Sequence, residues 1–441
     1  MSRAGAVWLA LLVAGAGVLC GQAGSDVSAA RSRSGAVSAA AASPEASERA
    51  PGEWTVLFYG ANDNSSEETV LHDVVEMKRG LPAAAGLELI ALLDRSERFS
   101  SDREALGDDF SDTRLYRIRP GAAERIEGGT FLAEITSTSR HEANMGDART
   151  LARFVRFGKA AFPARRYALV IYSHGDGRRF APDESHGGDG LDAVEVAEAL
   201  DAEASVDLLG LDVCSMGGLE NAWRWRPGNG GFSARVLVAS ASATGPWPYD
   251  TVLPRLSDPA SVTPADLGAA IVDEIRATLP GHREARHGYV ALQSWAAYDL
   301  ARAAAARDAL DGLLDVAGEA DRRELRVLRG PVSAPGLVHY GPPGEERTWH
   351  RFSYIDLYDL AARAAADPRL SGPVREAAAR LAAATDAVVI RSFGGGLYPR
   401  FEEGRHGLWV AFPEAGRAHG FDAGFCRSQG GLSPWCAFLD G

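Results

Sequence analysis

Val206-Asp207-Leu208-Leu209-Gly210-Leu211-Asp212-Val213-Cys214-Ser215-Met216-Gly217-Gly218 reads as a buried strand that ends at a reactive side chain. A short, nearly continuous aliphatic run closed by small residues suits a strand covered on both faces. Upstream, Tyr167-Ala168-Leu169-Val170-Ile171-Tyr172 has the same character and runs into Ser173-His174-Gly175-Asp176-Gly177. A helical pattern over residues 192–204 lies between the two runs. Strand, helix and strand form a crossover unit whose strands run parallel. As neighbours they sit ~4.8 Å apart, with their C-terminal ends on one edge. Open α/β sheets bind ligands at that edge. The 40 positions from His174 to Cys214 leave room for one crossover helix and a loop.

A cysteine and a histidine at such an edge make a chemical pair. A thiolate is a strong nucleophile at neutral pH. An imidazole polarises a carbonyl or protonates a leaving amine. Gly175 lets the backbone come close to a substrate. The N–H groups of Gly175 and Cys214 are candidates for an oxyanion hole. Ser215 is expected to begin a helix through Leu219, Asn221 and Trp223, whose N-terminus would favour the thiolate. Taken singly, Cys214 reads as a packed small hydrophobe and His174 as a loop donor. Their shared edge favours the functional reading.

Working outward, strand-like runs occur at residues 54–59, 87–93, 114–118 and 235–239. Helical patterns occupy residues 67–79 and 147–162. The alternation predicts an α/β fold with a largely parallel sheet over residues 53–255. Residues 256–441 predict a mainly helical extension, with helices at 264–279, 294–315, 356–365 and 372–385. One late run, residues 407–412, is expected to return a strand to the sheet.

Residues 1–23 read as a signal peptide. Arg3 precedes an apolar run over residues 6–19, and Gly21-Gln22-Ala23 supplies small residues for cleavage. Cys20 raises a lipoprotein alternative, although Leu19 stands where a lipobox has a small residue. Residues 24–52 carry few large apolar side chains and read as a tether or pro-segment. The chain is therefore expected to be exported, meeting a membrane only through a lipid anchor. The net charge of −13 argues against nucleic acid as a partner. Of four cysteines, Cys426 and Cys436 suit a disulfide in an exported protein. Cys214 is then the cysteine that needs another reason to be there.

Four segments resemble the clostripain family of cysteine peptidases, in the clan of caspases, legumains and gingipains. They are Trp54 to Asn64, Leu169 to Gly175, Leu208 to Met216, and Gly407 to Pro413. The resemblance implies a caspase-like fold and endopeptidase activity on protein or peptide substrates, with Cys214 and His174 as the dyad. It also implies cleavage after Arg or Lys, with Asp212 meeting the basic side chain; the other reading of Asp212 is a cap on the following helix. Trp247 is expected to wall that pocket or to be an ordinary core residue. Here residues 240–250 keep Trp247 and Tyr249 but hold no acid before Trp247. Relatives that mature by self-cleavage point to Arg178 and Arg179. No cofactor is expected for the chemistry. Some relatives need calcium, and the acidic loops at residues 108–112 and 183–189 are candidates without a recognised ligand spacing. The rival readings are a catalytically idle peptide-binding or regulatory relative and a surface-anchored structural protein.

Overall fold

The computed structural model describes residues 50–281, 289–330, 337–340, 354–398, 400–413 and 433–440. The expected signal peptide and nearly all of the expected tether lie outside them, as does Cys426. The described strands are β1 (Gly52–Asn62), β2 (Leu87–Arg95), β3 (Arg114–Arg119), β4 (Ala122–Arg125), β5 (Ala164–Tyr172), β6 (Arg179–Asp183), β7 (Asp189–Asp192), β8 (Val206–Asp212), β9 (Ala234–Ser240), β10 (Ser294–Asp299), β11 (Tyr354–Asp356), β12 (Val389–Gly394) and β13 (Trp409–Ala411). Nine of them form one sheet in the order β12-β10-β9-β8-β5-β1-β2-β3-β4. The five central strands, β9-β8-β5-β1-β2, are parallel. The four outer strands are antiparallel to their neighbours.

Strand alternation sends each central strand's side chains into two cores. Leu57, Tyr59, Leu169, Ile171, Leu209 and Leu211 face one core. Helices α2 (Ala148–Ala161), α3 (Ala193–Ala199), α8 (Ala303–Val316), α10 (Leu357–Ala366) and α11 (Gly372–Asp386) cover it. Val56, Phe58, Ala168, Val170 and Leu208 face the other, beneath α1 (Glu67–Gly80) and α6 (Pro264–Thr278). The sequence explains these helices locally. In α1, Val70, Leu71, Val74 and Met77 make a buried stripe, with acids in the first turn and bases in the last. A capping box of Asp192 and Glu195 starts α3.

The fold is the expected caspase-like α/β sheet flanked by helices. Three details differ from expectation. Residues 294–315 are not one helix: β10 comes first, and α8 begins at Ala303. Trp295 and Tyr298 favour a strand that can be buried in a sheet. The run at residues 407–412 does not join the main sheet. Instead, β13 pairs with β11 in a separate ribbon. The strands that do return to the sheet are β10 and β12. The expected helix at residues 192–204 stops at Ala199 and is followed by a 3₁₀ turn at Ala202–Ala204.

Candidate active site

Strands β5 and β8 are direct neighbours, and their last registered pair is Tyr172 with Asp212. His174 and Cys214 each lie two residues beyond that pair. The two loops then approach closely. A Cβ added to Gly175 would lie 2.8 Å from the Cys214 carbonyl oxygen, so the tight backbone contact calls for glycine.

The histidine loop is held from β1. Ser173 Oγ donates to the Ala61 carbonyl at 2.6 Å. Asn64 Nδ2 donates to the Ala61 carbonyl, to Ser173 Oγ and to the Pro182 carbonyl. This turn brings Ser65 Oγ to 2.9 Å from His174 Nε2. Sequence reading missed Ser65; its one signal was its place just after Asp63-Asn64, at the end of the first segment of the resemblance. His174 is exposed by surface area, yet the protein around it desolvates the ring and lowers its pKa. The imidazole is therefore neutral at pH 7.

The cysteine turn corrects an expectation. Ser215 does not begin a helix: it adopts φ 63°, and α4 (Leu219–Arg224) starts after Gly218. A non-glycine residue in that region costs of order 1 kcal/mol, which the surroundings must impose. Here Ser215 N–H donates to the Ser242 carbonyl at 2.9 Å, and Gly217 N–H donates to the Ser240 carbonyl at 2.7 Å. Polarisation of the thiol by an adjacent helix N-terminus does not apply. Instead the Thr244 N–H donates to Cys214 Sγ at 3.4 Å, a bond that favours the thiolate.

Asp212 points into the α1/α6 core and is 2 % exposed. Its Oδ2 accepts from Trp247 N–H at 3.1 Å and from Tyr249 Oη at 2.9 Å. Burial pushes its pKa up to about 8, and Glu76 adds a smaller upward push. Asp212 does not cap a helix, since Gly218 holds the cap position of α4. The Trp247 ring is 2 % exposed and packs edge-on to Trp295, so Trp247 is a core residue that serves Asp212 through its backbone. The segment around Trp247 instead meets acids of α1. Glu76 Oε2 accepts from Tyr249 N–H at 3.0 Å, and Asp73 lies buried on the same helix. Sequence reading missed both. Their signal was an acid at i and i+3 within the apolar stripe of an otherwise ordinary helix.

Arg178 and Arg179 follow the histidine loop directly. Asp176 Oδ1 accepts from both of their N–H groups, at 2.9 and 2.8 Å. Arg179 starts β6, which pairs with β7. The acidic loop at residues 108–112 is committed to arginines. Asp108 and Asp112 bind Arg114, and Asp109 binds Arg95. Those carboxylates do not fit a calcium cage. At the other loop, Glu142, Asp183 and His186 bring ligand atoms within 4.8 Å of one another. Cys436 is disulfide-bonded; its expected partner, Cys426, lies outside the described residues.

A thiol and an imidazole at adjacent C-terminal strand ends of a mostly parallel, helix-flanked sheet define a caspase-like cysteine endopeptidase. The chain belongs to the clostripain family, whose sequence pattern matches residues 58–419. Clostripain from Hathewaya histolytica is 34% identical over 403 residues, covering 83% of this chain and 75% of the relative. Two solved structures share the fold. The inactive zymogen of a C11 protease from Parabacteroides distasonis has a TM-score of 0.61 at 16% identity, over 86% of this chain and 97% of the other. A secreted C11 cysteine protease from Bacteroides thetaiotaomicron, bound to an irreversible peptide inhibitor, has a TM-score of 0.60 at 16% identity, over 86% and 99%.

Proposed function

We propose that this chain is an exported endopeptidase in which Cys214 attacks the scissile carbonyl, His174 handles the protons, and Asp212 selects Arg or Lys. The observation that carries the dyad is the equal offset of His174 and Cys214 beyond one registered strand pair. Neutral His174 takes the thiol proton. The Cys214 sulfur bonds to the carbonyl carbon, and the π electrons move to the oxygen. The N–H groups of Gly175 and Cys214 face that oxyanion. Collapse breaks the C–N bond, and the amine leaves with the proton from His174. A thioester remains. Water then attacks it with His174 as base, releasing the acid and restoring the thiol.

A peptidyl chloromethyl ketone with Arg next to its reactive group, which loses chloride as the thiolate bonds to its methylene carbon, tests this reading. The expected result is one equivalent bound as a thioether on Cys214, with activity falling in step. Label on another residue, or full activity after labelling, overturns it. Export rests on the apolar run at residues 6–19 and suits the disulfide at Cys436. Maturation by cleavage after Arg178 or Arg179 belongs to the same reading and requires the β6–β7 hairpin to open first.

Calcium, as the resemblance implies, would be held by Glu142 and Asp183. Both are oxygen donors of the kind a hard cation takes. Asp94 Oδ2 is buried beside them without a hydrogen-bond partner. Burial, and then the charges of Glu142, Asp183 and Asp63, raise the Asp94 pKa, while burial and the neighbouring acids push Glu142 to about 7. Calcium at ~100 times its Kd should stabilise the fold by about 2.7 kcal/mol. The expected readout is a melting temperature a few degrees higher, lost in Glu142→Gln and reversed by a chelator. An equal shift in Glu142→Gln places the cation elsewhere.

A further inference from the structure

The ribbon of β11 and β13 reaches the site through two aromatic residues that the chemistry above does not use. Tyr354 and Trp409 are both 0% exposed. Their rings stack at 4.0 Å between centroids, 23° from parallel. A buried stacked pair resists sliding, so a displacement of one ring is felt by the other. Each ring holds a different catalytic loop. Tyr354 Oη donates to the Asp176 carbonyl at 2.6 Å, two residues past His174. Trp409 Nε1 donates to the Ser215 carbonyl at 3.0 Å, one residue past Cys214. Trp409 N–H also donates to the Gly217 carbonyl at 3.0 Å.

Glycines mark how closely the loops sit on these rings. A Cβ on Gly177 (φ +92°) would lie 2.3 Å from Tyr354 Oη. A Cβ on Gly218 would lie 2.5 Å from Trp409 Cη2. The left-handed Ser215 is the residue whose carbonyl Trp409 holds, so the bond lands where the backbone most needs support. The ribbon is itself anchored to the main sheet, because Tyr298 Oη on β10 donates to the Gly407 carbonyl at 2.6 Å.

We propose that Tyr354 and Trp409 are positioning residues, an aromatic clamp that fixes the His174 loop against the Cys214 turn. The proposal rests on the assignment of His174 and Cys214 above. It gives the C-terminal region a task in catalysis: a misplacement of about 1 Å between reacting groups can cost 10²-fold in rate.

Tyr354→Phe removes one hydroxyl and keeps the stack. It should lower kcat about 10- to 100-fold with KM within about twofold. Alkylation of Cys214 by iodoacetamide should keep its wild-type pH–rate profile, because the cysteine turn is untouched. Trp409→Phe should lower kcat and also slow that alkylation. Joined in one protein, the two changes should cost less than the product of their separate losses, as coupled positions do. Gly177→Ala drives the hydroxyl from Asp176 by another route and should reproduce the kcat loss, which covers poor folding of Tyr354→Phe. Values of kcat within twofold of wild type in folded variants, or losses that simply multiply, overturn the clamp. Wild-type enzyme that stays active after Cys214 is alkylated overturns the dyad instead, so the two failures are distinguishable.

Discussion

Cys214→Ala should reduce hydrolysis of an Arg-containing peptide by at least ~10⁴-fold while KM changes little. On the proposed mechanism the sulfur makes the bond that defines the reaction. Sγ lies against the Thr244 backbone, whose N–H donates to it and whose carbonyl accepts from it, and neither group is a nucleophile. His174→Ala should cost about 10²- to 10⁴-fold, the range of a general acid–base group. The two losses should not multiply, since His174 has no proton to move once the thiol is gone. The variants separate the roles further. In His174→Ala the thiol should still be alkylated, because the Thr244 N–H and the Ser215 turn remain. In Cys214→Ala the imidazole should still titrate below its ordinary range, because its shift comes from burial. Steady-state kinetics on both variants, with melting temperatures as a check on folding, tests this. A Cys214→Ala enzyme that keeps a tenth of wild-type activity removes Cys214 from the chemistry.

The parts of this site that the sequence displayed are those governed by short range and by strand logic. Two apolar runs ending in His174 and Cys214, with one helix between, have few ways to pack, and the observed register follows. The parts it hid depend on residues far apart in the chain. Glu76 meets Tyr249 across 173 positions, and Trp409 meets Ser215 across 194. Nothing local marks either contact. A serine ahead of helix formers looks like a cap, which is why the sequence suggests a helix start at Ser215. The two glycines that follow let the chain turn first, and α4 starts only at Leu219. The residues of β10 look helical because Ala-rich sequence follows them without a break. Its two buried aromatics, Trp295 and Tyr298, were the contrary signal. The run containing Trp409 has a strand's pattern and is a strand, but its partner is β11 and not the main sheet, since pairing partners are a tertiary property.

Asp212→Asn should erase the preference for Arg over its neutral isostere citrulline, by a factor of about 10²–10³. Truncating one partner of a buried, hydrogen-bonded charge pair costs about 2–5 kcal/mol, and 1.4 kcal/mol is tenfold. In the free enzyme Asp212 titrates near 8, so it is largely protonated at pH 7. A guanidinium binds well only to the ionised form. Each pH unit below about 8 therefore leaves about tenfold less of the enzyme ready for Arg. The ratio of kcat/KM for Arg over citrulline should rise about tenfold per unit from pH 6 towards 8 and flatten above it. Taking that ratio cancels the titration of His174 and Cys214, which serve both substrates alike. Asparagine cannot ionise, so the Asp212→Asn ratio should stay flat and close to one. Oδ2 already accepts from Trp247 N–H and Tyr249 Oη, so the prediction places the substrate cation on Oδ1. Tyr249→Phe tests the hydrogen bonding of the carboxylate itself, since the Tyr249 hydroxyl donates to Oδ2. Its hydroxyl bond favours the carboxylate, so its loss should move the midpoint upward. A pH-independent Arg preference in the wild type, or one that survives in Asp212→Asn, assigns the selection of basic residues to another group, with Glu76 and Asp73 on α1 the first to replace.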